Sequence, residues 1–342
     1  MCNEIILPYQ NTPFGSTSEK KLLGMLYSDE LTHRWIYSQF INLYVMNTPN
    51  SKWSIKIFDS VFRNWQNVYF MDLNIINKKI IYKGWENFYD FVVDYIEKGY
   101  YLYFNSLDHY YLQPSRIYNQ KHRLHGLVIY GFNKIKKLFY CSDYFFNLNN
   151  KFANSTITFN DFENSVKESF KIHHTLLRMN PEKFYILKIN PTFREDLKNW
   201  DYMKKIKHRL LEYLDSSIYE CNYRRVSDSI LKQGICVNLF IVEKIKEILN
   251  FKFPSFNMFK SHKCCMYYRV QFLVKEGIIA PNSPIVDQIK KIFDLANIVE
   301  KLVMKYNFTK SQPILTRIQE NILNINKLEE STLPQLLAII NK

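Results

Sequence analysis

Apolar and polar positions alternate in two different textures along the chain. Up to about residue 190, short apolar runs are interleaved with helical patterns. Residues 4–9 read as a short strand closed by Pro8, and turn-forming residues 10–16 follow. The spacing then predicts a helix over 17–27, with Leu22, Leu23, Met25 and Leu26 on one face. Ser16 with Glu19 three residues on has the form of a capping box. A second helix is expected over 30–46, turning Trp35, Ile36, Phe40, Leu43 and Tyr44 inward. Residues 50–83 show no clean period. Residues 84–98 return to helical spacing and stop at Gly99, a C-terminal cap, and 100–107 read as a buried strand.

The next stretch is the most informative. Apolar runs at 126–131 and 138–143 flank a lysine-rich turn and read as a hairpin, with His125 just ahead of the first and Asp143 closing the second. Antiparallel pairing brings the start of one run near the end of the other, so the imidazole falls within reach of the carboxylate. A histidine oriented by an acid is the base half of a nucleophilic triad. A polar loop over 147–158 precedes a helix to about 177 capped by Asn160 or Asp161, and 183–190 form a strand before Pro191. Beyond 194 the pattern is helical: 194–218, 224–250, 258–276, 284–306 and 310–325, punctuated by Pro254, Pro281, Pro284 and Pro313. The expected organisation is an α+β domain over 1–190 and a mostly helical domain over 191–342.

Composition narrows the function classes. Lys and Arg exceed Asp and Glu by 14, which favours an acidic partner. No basic run, helix-turn-helix or RNA-binding signature accompanies that charge, so nucleic acid is disfavoured and an acidic carrier protein fits as well. The six cysteines form no CxxC pair, which excludes a zinc ribbon and a secreted disulfide framework. No signal-like N-terminus or long apolar window is present, so no membrane span is expected and the cytoplasm is the expected compartment. No Gly-rich phosphate loop occurs, which disfavours nucleotide hydrolysis and NAD chemistry. The adjacent pair His173 and His174 points in different directions from one helix. His109, and His262 near Cys264 and Cys265, lack ligand spacing, so no metal is expected.

Strand, capped helix and then strands carrying His125 and Asp143 resemble the order of parts in papain-like cysteine proteases. The residues Asp108-His-Tyr-Tyr-Leu112, the pair His122 and His125, Gly126-Leu-Val-Ile-Tyr-Gly131 and Ser142-Asp143 resemble more closely the N-terminal domain of butirosin-biosynthesis protein H and its relatives in bacterial biosynthetic clusters. The resemblance covers roughly residues 1–190. It implies a papain-like fold and acyl or aminoacyl transfer, or amide formation, from a carrier-protein thioester to a small amine or amino acid. The acyl group would arrive on the phosphopantetheine arm of an acidic acyl or peptidyl carrier, with no resident cofactor. It implies a nucleophile at Ser16, or at Ser18 two residues on, with His125 as base and Asp143 orienting it. Gln10 and the backbone N–H groups at the helix start would hold the oxyanion, and Asp108, Tyr110 and His122 would contact substrate.

The chain departs from that pattern where the family carries its cysteine, because no cysteine lies between residues 3 and 140. Ser16 is therefore a hydroxyl nucleophile, a replaced cysteine, or only a helix cap on a degenerate, binding-only scaffold. A thiol beside an imidazole can rest as a thiolate, whereas a serine needs its proton taken during attack. Cys2 offers a different route, as an N-terminal nucleophile after removal of Met1.

Overall fold

An antiparallel sheet takes up the apolar runs of the first half of the chain. The computed structural model describes residues 2–15, 17–48, 51–57, 68, 70–145, 152–171, 183–216, 230–251 and 254–341. In order, the chain forms β1 (Glu4–Ile6), α1 (Thr17–Tyr27), α2 (Thr32–Ser38), β2 (Leu43–Thr48), β3 (Ser51–Ile57) and β4 (Met71–Asn77). It continues as α3 (Lys78–Gly84), α4 (Phe88–Glu97), β5 (Tyr101–Asp108), β6 (Leu124–Asn133), β7 (Leu138–Asp143), β8 (Ala153–Thr158), α5 (Phe159–Ser169) and β9 (Lys183–Ile189). The remainder is α6 (Pro191–Glu195), a 3-10 turn (Asp196–Asn199), α7 (Tyr202–Leu214), β10 (Ile230–Gln233), α8 (Cys236–Glu243), α9 (Ile245–Phe251), α10 (Pro254–Lys275), α11 (Pro284–Thr309) and α12 (Gln312–Ile340).

Two compact units emerge, and no single cut separates them. The first holds residues 1–12, 17–32 and 64–199; the second holds 13–16, 33–63 and 200–342. Segment 33–63 thus belongs with the later helices, although a boundary at 190 assigns it to the earlier domain.

The first unit carries a seven-stranded sheet in the order β4-β9-β5-β6-β7-β8, with β1 pairing to β6. All its pairings are antiparallel. Helices set against an antiparallel sheet make this an α+β unit, as the alternating texture of the sequence predicts. Phe88, Phe91, Val92 and Ile96 of α4 and Phe162 of α5 bury against Phe104, Leu127, Ile129 and Phe184 of the sheet. The rings of Phe88, Phe104, Phe162 and Phe184 meet mostly edge to face, at 4.9–5.9 Å between centroids. Helix α4 ends at Lys98 and Gly99, the latter at φ +83°, as expected. The cap of α5 differs from expectation. Thr158 accepts the Asp161 N–H on its side-chain oxygen, and Asn160 and Asp161 lie inside the helix. The described helix stops at Ser169, and His173 and His174 lie outside the described residues.

In the second unit, β10, β2 and β3 form a small sheet beside α7–α12. The helix expected over 30–46 ends at Ser38, because Phe40 takes a left-handed backbone (φ +57°) and 43–48 pair as a strand. Leu43, Tyr44 and Val45 suit a pleated surface once the helix has stopped. The helix expected over 224–250 likewise begins late. Residues 230–233 pair with β2, and Gly234 turns at φ +63° where a Cβ would lie 2.3 Å from the Tyr213 carbonyl oxygen. The last helix runs to Ile340, well past the expected 325 and through Pro334.

The helices of this unit enclose a polar core. Lys263 Nζ lies 2.7 Å from Glu329 Oε1, and Tyr213 and Asn238 donate to Glu329 Oε2, which joins α7, α8, α10 and α12. Arg269, fully buried, donates to the Tyr37 and Gln39 carbonyls at 2.6 Å each. Among the described residues, no helix is long and apolar enough to cross a membrane.

Candidate active site

The β6–β7 hairpin sets the geometry. Val128 pairs with Ser142 and Ile129 with Cys141, so Leu127 stands opposite Asp143 and His125 lies two residues further on the same face. That diagonal brings His125 Nδ1 to 2.9 Å from Asp143 Oδ2. Asp143 is fully buried, and the His125 side chain is 23% exposed. On the other side of β6, Leu107 pairs with His125, and His109 follows two residues later. His109 Nε2 lies 3.1 Å from the same Asp143 Oδ2, and the two imidazoles meet edge to face at 5.2 Å.

A fourth group completes the cluster. Lys21, 1% exposed, extends from α1 to place Nζ 2.6 Å from Asp143 Oδ1 and 2.6 Å from the Gly126 carbonyl oxygen. Gly126 makes the room: a Cβ there would lie 2.9 Å from Lys21 Nζ and 3.2 Å from the Phe104 carbonyl oxygen. The carboxylate therefore has a cation on one oxygen and two imidazoles at the other.

The electrostatics follow from these contacts. Burial pushes the Asp143 carboxyl up, but the Lys21 charge and the two imidazoles beside it outweigh that and hold the group well below its ordinary value. Burial, together with the Lys21 charge, lowers His125 despite the nearby carboxylate, so the imidazole is neutral at pH 7. Burial also lowers Lys21, against the pull of Asp143. A neutral imidazole whose Nδ1–H is fixed by an ionised carboxylate presents Nε2 as a proton acceptor, the state a general base requires.

The structure distributes the other predicted residues as follows. Ser16 lies outside the described residues, and of Ser18 only its helical backbone is described. The Gln10 side chain is exposed, and its backbone N–H donates to the Gly24 carbonyl at 3.0 Å. Asp108 is fully buried and occupied within its own loop. Its Oδ1 accepts the N–H groups of Tyr110 and Arg123, and its Oδ2 lies 2.6 Å from His122 Nδ1. His122, 53% exposed, stacks on Tyr110 at 4.2 Å between centroids. Asp108 thus orders the segment from 109 to 123 that carries His109. Cys141 is buried, and burial raises its thiol well above the ordinary value, which leaves no thiolate there. Cys2 is exposed beside β1, at the Asn133 end of β6. His125 is at the other end, about 25 Å away at a strand's rise per residue.

Sequence pattern alone gives no role to Lys21, and it sets His109 aside for want of ligand spacing. Lys21 lies four residues before Met25 on the buried side of α1, and a lysine there requires an anion. His109 continues the alternation of β5 past Leu107. Both signals are present in the sequence, but neither names Asp143 as the partner. No protein-family model matches the chain, and no curated protein matches it.

Proposed function

We propose that the His125–Asp143 pair is the base of an acyl-transfer site in a papain-like α+β unit. In this reading the site takes an acyl or aminoacyl group from a carrier-protein thioester and passes it to a small amine or amino acid. The observation that carries the reading is the 2.9 Å contact of His125 Nδ1 with a buried, ionised Asp143 on the neighbouring strand. In this reading the nucleophile is the hydroxyl of Ser16, the residue before Thr17 in the sequence. His125 Nε2 removes its proton as the oxygen attacks the thioester carbonyl, and the carrier thiol leaves with that proton. The acceptor amine then attacks the acyl-serine, restoring the hydroxyl and releasing the amide.

A basic stripe supports an acidic carrier as the donor. Lys204, His208 and Leu211 on one face of α7, with Lys205, Lys207 and the preceding Trp200 and Asp201, line a groove of about 570 Å³. None of the three lysines forms an ion pair among the described residues. Attraction of this kind weakens with salt.

One observation favours a second reading, a degenerate scaffold that binds a peptide-like product or partner. The Lys21 cation shares the orienting carboxylate, lowers the basicity of His125 and opposes the imidazolium that attack creates. Intact-protein mass spectrometry with an acyl-loaded carrier separates the two. Acyl transfer gives a mass gain of one acyl group that disappears in His125→Ala. A gain seen only in Ser16→Cys identifies the degenerate scaffold, and no gain in any form overturns the acyl-transfer reading.

A further inference from the structure

We infer that His109 Nε2, His125 Nδ1 and Asp143 Oδ2 form a binding site for a first-row divalent cation such as zinc, whose occupation switches the proposed site off. The regulatory half of this inference rests on the acyl-transfer reading; the metal site does not.

The donor set comes first. The three atoms lie within 4.8 Å of one another, and all belong to buried or half-buried side chains. Two imidazoles and one carboxylate suit zinc, iron(II) and cobalt(II) rather than magnesium or calcium. Donors around a tetrahedral zinc stand about 3.3 Å apart. The present separations from Oδ2 are 2.9 Å to His125 and 3.1 Å to His109, so an opening of a few tenths of an ångström admits the ion. His125 is the partly exposed member of the three, with 23% of its side chain open to solvent.

The second observation is His109. Its ring is fully buried, yet neither nitrogen has an aligned hydrogen-bond partner among the described residues. Nε2 points at Asp143 Oδ2 from 3.1 Å without the alignment of a hydrogen bond. A buried polar group left in that state costs free energy, and a cation between Nε2 and Oδ2 removes the deficit. The Phe145 ring lies beside it, 6.5 Å between centroids and 29° between planes.

Lys21 holds the carboxylate from its other side. It holds Oδ1 at 2.6 Å, leaving Oδ2 as the single coordinating oxygen. The tautomer of His125 with its proton on Nε2 offers the Nδ1 lone pair to the metal. That tautomer is also the disabled one. With Nδ1 on the cation and Nε2 protonated, the imidazole no longer accepts a proton from a nucleophile.

Cobalt(II) titration of the chelator-treated full-length protein tests the site directly. The expected result is a visible d–d band of a four-coordinate ion saturating at one equivalent, displaced by zinc, and weakened at least ten-fold in affinity by His109→Gln. Absence of the band, or an unchanged band in His109→Gln, overturns the metal site. Regulation is read from the ratio of acylation rates in chelator and in zinc. That ratio is expected to exceed ten in the native protein and to fall to one in His109→Gln; a ratio of one in the native protein overturns the switch. If no acylation occurs in chelator, the acyl-transfer reading and the switch fall together, while the cobalt titration still decides the metal site.

Discussion

Lys21 and Asp143 form a buried ion pair, 2.6 Å between Nζ and Oδ1, with 2% and 0% of their side chains exposed. They lie on a helix and a strand more than a hundred residues apart in sequence. The pair fixes the carboxylate that in turn orients His125.

Lys21→Met leaves a buried carboxylate uncompensated and is expected to cost about 3–5 kcal/mol of unfolding free energy. The same change removes the cation that depresses His125, so the imidazole should titrate at higher pH than in the native protein. Urea denaturation and NMR titration of the His125 ring measure both. A loss under about 1 kcal/mol, or an unmoved His125, would contradict the account. Because the folded Asp143 value is depressed, its stabilisation is present above the ordinary 3.8 and is lost as pH falls through the folded value.

Gly126→Ala places a methyl group 2.9 Å from Lys21 Nζ, 3.0 Å from Tyr103 Oη and 3.2 Å from the Phe104 carbonyl oxygen. The backbone oxygen cannot retreat without disturbing β5. The expected destabilisation is about 1–3 kcal/mol. In the double variant Gly126→Ala with Lys21→Met, the two costs should be less than additive, since the second change frees space for the first.

Lys78 supplies a pH dependence separate from the site. Its ammonium is buried at the first position of α3, donates to the Ser106 carbonyl at 2.6 Å, and is pushed down to about 7 by burial. The unfolded chain holds this proton up to the ordinary 10.5, so between those values unfolding takes up a proton. Stability therefore rises as pH increases through that window, by about 2 kcal/mol between pH 7 and 9. Lys78→Met should abolish that increment. Parallel stability curves for the two proteins across the window would refute the assignment.

Asp108→Ala removes the acceptor for the Tyr110 and Arg123 amides and the partner of His122. Hydrogen exchange at those two amides is expected to quicken by ten-fold or more, as about 1–3 kcal/mol of buried hydrogen bonding is lost. Unchanged exchange would show that the loop is ordered by other contacts.

The central hairpin was legible in the sequence for a local reason. Alternation over 126–131 and 138–143 and a tight turn between them pair the two runs, but the face that His125 and Asp143 share is set by a bulge at Tyr130, where the register slips by one residue. The same holds for the sheet-and-helix texture of the first unit and for Gly99 ending α4. Local pattern also misled. Residues 43–46 fall within the helix expected over 30–46 yet belong to a strand, because pairing with β3 and β10 outweighs a weak helical preference.

What only the tertiary structure decided is which distant groups share Asp143. Periodicity can mark Lys21 as facing inward and His109 as continuing β5, but it cannot say that both converge on one carboxylate. That depends on α1 crossing β6 where Gly126 leaves space, and on the bulge in β5 that sets the register of Leu107 against His125. Burial then does what sequence distance cannot. It raises the electrostatic stakes of each contact, and it turns a pair suited to base catalysis into a four-membered cluster with two imidazoles at one oxygen.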